Sequence, residues 1–119
     1  MTEYVVLFVG DADRWWTTMS LEERKAGYTE FQRFGAELTR RGHQIVGGAE
    51  LHSTADAKRI APGGGAVTDG PFTEVTEQVG GFYQIRTDDL DDLMDVCKIL
   101  SATGDAVEVH RKITGEEPA

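Results

Sequence analysis

The sequence predicts an α+β domain of ferredoxin-like layout, an antiparallel sheet with two helices on one face plus an extra β-hairpin. Three observations carry this. A continuous apolar run, "YVVLFVG", opens the chain; a long amphipathic segment with a capping signature follows; and the elements then succeed one another as β-α-β, a hairpin, β-α-β. Short connections and right-handed crossovers leave few arrangements of that order, and the ferredoxin-like one is the most economical.

The run from Tyr4 to Val9, closed by Gly10 and Asp11, is β-branched and too short for a helix, as expected of a central strand buried on both faces. The stretch "DADRWWTTM" reads as a loop. Ser20 precedes Leu21-Glu22-Glu23 in the Ser-x-x-Glu pattern, where each side chain can satisfy the other residue's backbone N–H, so a helix starts near Leu21. Tyr28, Phe31, Phe34 and Leu38 put one apolar stripe on it; Arg40 and Arg41 complement its C-terminal dipole, and Gly42 supplies a left-handed stop. "HQIVGGAEL", His43 to Leu51, is a second strand in which Gly47-Gly48 marks a bulge or a close backbone approach. "AKRIA" and "AVTDG" flank "PGGG" as the arms of a hairpin of unreadable register, with Gly63 to Gly65 at its tip. "TEVTEQV" is expected to make one or two helical turns before "GGFYQIR" resumes a strand. Asp89 opens a second helix with Leu90, Leu93, Met94, Cys97 and Leu100 at helical spacing, and "AVEVHRKI", Ala106 to Ile113, alternates as a closing strand.

A chain of 119 residues is the size of one domain, here 1–115, with 116–119 as a disordered tail. Apolar residues at 39% and charged residues at 28% are ordinary for a folded protein and too apolar for a disordered one. The net charge of −9 repels phosphate backbones and anionic lipid, which argues against nucleic acid as a partner. No basic region precedes the first apolar run, and that run is far shorter than the roughly twenty residues a membrane span requires, so a cytoplasmic protein without a membrane partner is expected. One cysteine, Cys97, excludes an intrachain disulfide, and its place on an apolar stripe makes it an inert core residue. The sheet face without helices needs a cover. A second copy supplies it, so a homodimer through that face is expected.

Asp69, in "AVTDGPFTE", is the first candidate for chemistry. Pro71 fixes its own φ and pushes Gly70 out of the helical region, so the carboxylate is held by a stiff backbone; buried between two sheets, it would serve as a general base. The competing reading is an Asx-turn, in which the carboxylate accepts N–H groups at Phe72 or Thr73. Glu108 and His110 lie two apart on a strand, on the face opposite Val107 and Val109, and there a histidine-carboxylate pair could shuttle a proton; the plainer reading is a salt link or simple exposure. Trp15 and Trp16 precede the first helix, where adjacent aromatics could close over a flat ligand or cap the core. With Tyr28 and Phe72 they are the candidate ligand contacts. His43 and His52 sit about 30 Å apart if their strand is extended, and no spacing argues for zinc, so neither metal nor cofactor is expected.

"VTDGPFTE" (Val67 to Glu74), "EQVGGFYQI" (Glu77 to Ile85), "MSLEER" with Trp16 ahead of the first helix, "GGAEL", "DDLDDLMDVC" and "VEV" together resemble the YCII-related family, and in particular its subgroup with the Asp-Gly-Pro-Phe motif. The likeness runs from about Tyr4 to Ile113. It implies a dimeric α/β barrel of ferredoxin-like subunits. Where relatives usually read Glu-Val-Arg-Pro on the last strand, this chain has His110 and Arg111 after Glu108 and Val109; the family's lysine after the motif is Thr76; and a histidine that the enzyme-like branch carries near the start of the first helix is absent, with Tyr28 in that helix.

Two functions stay open at this level. One is a small-molecule-binding homodimer that catalyses a cofactor-free proton transfer, an isomerisation or elimination on a cyclic or aromatic compound, with Asp69 as acid or base assisted by His110 and Glu108. The other is a non-catalytic binding or regulatory module, which the resemblance links to alternative sigma-factor systems.

Overall fold

A computed structural model describes residues 1–72 and 77–113. The elements run β1 (Thr2–Gly10), α1 (Ala12–Thr17), α2 (Leu21–Arg40), β2 (Gln44–Glu50), a 3-10 turn at Thr54–Asp56, β3 (Lys58–Ile60), β4 (Val67–Asp69), β5 (Gln78–Thr87), α3 (Leu90–Ser101) and β6 (Ala106–Arg111). The sheet is fully antiparallel in the order β2-β5-β1-β6, an order compatible with the ferredoxin-like layout, and β3 and β4 form a separate hairpin.

The long helix begins as its sequence demands. Ser20 Oγ accepts the Glu23 N–H at 3.1 Å and the Glu23 carboxylate accepts the Ser20 N–H at 3.1 Å, a complete capping box. Gly42 ends it at φ 84°, where only glycine sits without strain. Phe34 and Leu38 of its stripe are fully buried against Val6, Phe8 and Ile85 of the sheet and against Leu93, Val96, Cys97 and Leu100 of α3. Both helices therefore cover one sheet face. Burial pushes the Cys97 thiol up to about 11, so it stays protonated, as an inert core residue should.

Strand parity fixes the other face. Val107 and Val109 pack on the core, so Glu108 and His110 point away from the helices, opposite Leu7 and Val5 in the β1–β6 register. The β2–β5 ladder slips between Ile45 and Gly47, leaving Val46 as the extra residue, and Gly48 stands at φ 149°, where a Cβ would meet the Phe82 carbonyl at 2.5 Å. Both a bulge and a close approach thus occur around the glycine pair. The slip has a consequence for facing: beyond it, Gly48 and Glu50 are opposite Tyr83 and Gly81 and turn toward the helices.

Three expectations change. The tryptophan segment is a helix, α1, capped by Asp11, whose Oδ1 accepts the Arg14 N–H at 3.1 Å, so three helices are present among the described residues instead of two. Tertiary hydrogen bonds hold this six-residue helix where local propensity does not. β5 starts at Gln78, inside the stretch assigned to helical turns, because Gln78 and Val79 pair with Gly10 and Val9; residues 73–76 of that stretch lie outside the described residues, as do the tail positions 116–119. The last strand stops at Arg111.

At the far end of the sheet, His43 is buried, with Nδ1 2.6 Å from Thr87 Oγ1 and Nε2 2.7 Å from Asp92 Oδ2. The Asp92 carboxylate can only accept, so Nε2 carries a proton and donates to it, while Thr87 Oγ1, which also accepts the Asp89 N–H at 3.0 Å, is bonded to Nδ1. One imidazole thereby joins the starts of β2 and α3 to the end of β5.

Candidate functional site

The helix-side face of the sheet is not covered at its other end. There α1, the first turns of α2, and β2 and β5 enclose a cleft of about 850 Å³, whose lining includes Phe8, Trp15, Trp16, Tyr28, Phe31, Glu50 and Tyr83. Trp15 meets Tyr28 edge-on with ring centroids 5.1 Å apart and Phe31 at 6.2 Å. Gly27 makes that approach possible, since a Cβ there would stand 2.6 Å from the Trp15 ring. Trp16 stacks on His52 at 4.3 Å and 11°, and His52 in turn pairs with Asp56 at 2.9 Å. The stripe of α2 thus splits in function: Phe34 and Leu38 build the core, and Tyr28 and Phe31 build a wall.

One carboxylate faces these rings. Tyr28 donates its hydroxyl proton to Glu50, 3.0 Å from Oε1 and 3.3 Å from Oε2. Burial, then the hydrogen bond to Glu50 and its negative charge, push the Tyr28 phenol above its usual range, and burial followed by the same charge does so for Tyr83. At the rim, burial raises the Asp105 carboxyl, against the lowering influence of Arg14.

A second network fixes the roof. Asp13 accepts from the Thr54 N–H at 2.6 Å and from the Thr54 hydroxyl at 2.5 Å, and its own N–H donates to Gln78 Oε1 at 3.2 Å. Gln78 Nε2 donates to Asp13 Oδ2 and to the Phe72 carbonyl, both at 3.3 Å, while Thr54 Oγ1 accepts the Phe72 N–H at 3.0 Å. Burial alone would raise the Asp13 carboxyl, but the hydrogen bonds from Thr54 and Gln78 outweigh it and hold it below the usual carboxylate range. The Gly-Pro-Phe loop is therefore tied to α1 through Thr54 and Gln78.

The sequence-predicted residues fall in four places. Trp15, Trp16 and Tyr28 line the cleft; Phe72 belongs to the network behind α1. Asp69 stands at the end of β4 with a side chain 72% exposed, bound to Lys58 Nζ at 2.6 Å, and the Phe72 N–H goes to Thr54 in its stead. Within one chain the expected burial of Asp69 is absent, and so is the Asx bond to Phe72. His110 Nε2 lies 3.2 Å from Glu108 Oε1, both exposed, on the helix-free face. None of Asp69, Glu108 and His110 lines the cleft.

Glu50, Asp13, Thr54 and Gln78 were not singled out from the sequence. For Glu50 the usable signal was the glycine pair just before it, since a bulge there inverts which residues of the strand face the helices. Among the described residues no group of three or more His, Cys, Asp or Glu side chains is gathered to hold a metal ion, and no helix is long and apolar enough to cross a membrane. No curated protein matches the chain. The family profile of the YCII-related domain matches residues 4–114, nearly the full length, and the chain belongs to that family.

Proposed function

We propose that this chain binds a small cyclic or aromatic compound in the cleft beneath α1. The observation that carries the reading is the pairing of ring surfaces from Trp15, Tyr28 and Phe31 with a carboxylate, Glu50, oriented by the Tyr28 hydroxyl. Apolar walls with few placed polar groups are the general form of a small-molecule site. The test is ligand-observed NMR with ring fragments and straight-chain fragments of matched polarity. Ring fragments are expected to bind and to be lost in Trp15→Ala, with the backbone amide spectrum showing that the variant is folded. Equal binding of both fragment classes, or ring binding untouched by Trp15→Ala, would sink the reading.

Within the family, the "DGPF" tetrapeptide from Asp69 to Phe72 supports assignment to the subgroup that carries this motif. A second reading adds proton transfer by Asp69, His110 and Glu108, and the observation that favours it is the 3.2 Å imidazole-carboxylate pair. That pair shares the helix-free face with Val5 and Leu7, and a homodimer closed over this face would bury it as half of a dimeric barrel. Sedimentation equilibrium tests the dimer: Leu7→Asp should yield a monomer, and an unchanged mass would remove the basis for this second reading.

A further inference from the structure

We propose that the compound bound beneath α1 is positively charged, a ring-bearing amine, and that Glu50 selects for it. The proposal rests on the reading of the cleft as a small-molecule site and adds the sign of the ligand's charge. Glu50 is the carboxylate that meets the aromatic wall. It accepts the Tyr28 hydroxyl, and among the described residues no lysine, arginine or histidine is paired with it. Arg24 acts on Tyr28 but forms no ion pair with Glu50. Glu50 is solvent-exposed and stable without a counter-ion, and beside these rings it offers a bound ammonium group a negative charge, an acceptor and ring faces at one place.

The remaining lining points the same way. Arg33 is matched by Glu30 at 3.2 Å, and the charge of Arg14 acts on Glu23 and Asp105, so both cations of the lining have acidic neighbours. The ring faces attract a cation through their quadrupoles. Two donors closed off from solvent, Trp15 Nε1 and Arg24 Nε, make no hydrogen bond; an acceptor that reached them would favour an anion, so the acetate arm of the test below bears on them. A net charge of −9 over the chain also draws cations toward the cleft from a distance.

Three probes with the same ring and different charge decide the matter: phenethylamine, phenethyl alcohol and phenylacetate. The chain has two tryptophans, Trp15 and Trp16, both on α1, so their emission reports occupancy directly. The amine should bind about tenfold more tightly than the alcohol, and the acetate most weakly. Glu50→Gln, which keeps the size of the side chain and an acceptor for Tyr28, should bring the amine down to the alcohol. Tyr28→Phe, which keeps the ring and the charge, should leave the order of the three intact. If the alcohol or the acetate binds as well as the amine, or if Glu50→Gln preserves the preference, the charge assignment is wrong while the cleft remains a ring site. If none of the three perturbs the emission or is displaced by a ring fragment, the binding reading itself falls and the charge assignment with it.

Discussion

Asp13 and Thr54 are joined twice, by the Thr54 N–H at 2.6 Å and by the Thr54 hydroxyl at 2.5 Å, across a sequence separation of 41 residues. This pair anchors α1, whose six residues are too few to be stable by helix propensity. Asp13→Ala removes both acceptors and strands the donors of Thr54. A loss of about 1.5–3 kcal/mol is expected, since the bonds involve a charged partner. Because both tryptophans ride on α1, their emission should shift to the red in the folded variant as they gain water. Chemical denaturation and the emission maximum check the two effects, and a native-like spectrum would show that α1 is held by something else.

The Gly-Pro-Phe loop separates two roles that its sequence blends. A Cβ on Gly70 would collide with the Thr54 carbonyl, while the Gly70 N–H donates to the Ala57 carbonyl at 2.8 Å. Gly70→Ala should therefore cost about 3 kcal/mol or more, because backbone faces the added methyl and no flexible side chain can yield. Asp69→Asn should change stability by no more than about 0.5 kcal/mol, because its ion pair with Lys58 is exposed on the hairpin. Thermal unfolding of the two variants side by side tests the contrast, and a large loss in Asp69→Asn would restore Asp69 as the structural centre of the motif.

What could be read from the sequence was what local chemistry determines. The Ser20–Glu23 box, the Gly42 stop, the Asp89 cap of α3 and the hairpin around the glycine tip each depend on residues within a few positions of one another. The opposite facing of Glu108 and Val109 followed from strand parity. α1 was not legible, because "RWWTT" has poor helix propensity and its anchors, Thr54 and Gln78, come from distant parts of the chain. Glu50 was hidden for a different reason. Simple alternation from Ile45 would turn Ala49 toward the helices, and only the extra residue at Val46 exchanges Ala49 for Glu50.

The α2–α3 junction gives the stability a defined acid limb. The hydrogen bond from Arg40, opposed by burial and reinforced by Arg41, brings the Glu37 carboxyl from 4.5 to about 2. His43 first, then Arg41, lower Asp92, and Arg41 lowers Asp95. A carboxyl whose pKa falls on folding binds protons more readily in the unfolded chain, so its contribution is fully present above the unfolded value and is lost as pH falls through the folded one. Glu37 therefore stabilises the fold above about pH 4.5, and this contribution disappears by about pH 2. In Glu37→Gln the urea midpoint should fall less steeply across that window than in the native chain. Parallel profiles would mean that the arginines find other partners when Glu37 is removed.

The bulge at Val46 carries the last prediction, because it links strand register to the chemistry of the cleft. Deleting Val46 removes the extra residue itself, so β2 pairs with β5 without a slip while Gly48 stays opposite Tyr83 and Glu50 opposite Gly81, on the helix side. β2 is an edge strand, so the rest of the sheet can keep its register. The Tyr28 phenol then keeps its acceptor and the nearby negative charge, and its pKa should stay raised as in the native chain. Glu50→Gln, by contrast, removes the negative charge and should move the Tyr28 pKa down toward the ordinary 10.0 while leaving it above, because burial is the first cause of the rise. Carbon-detected NMR titration of the tyrosine rings measures both. If the deletion moves the Tyr28 titration as far as Glu50→Gln does, the strand has changed register, and the pairing of Glu50 with Gly81 is not what holds the carboxylate at the tyrosine.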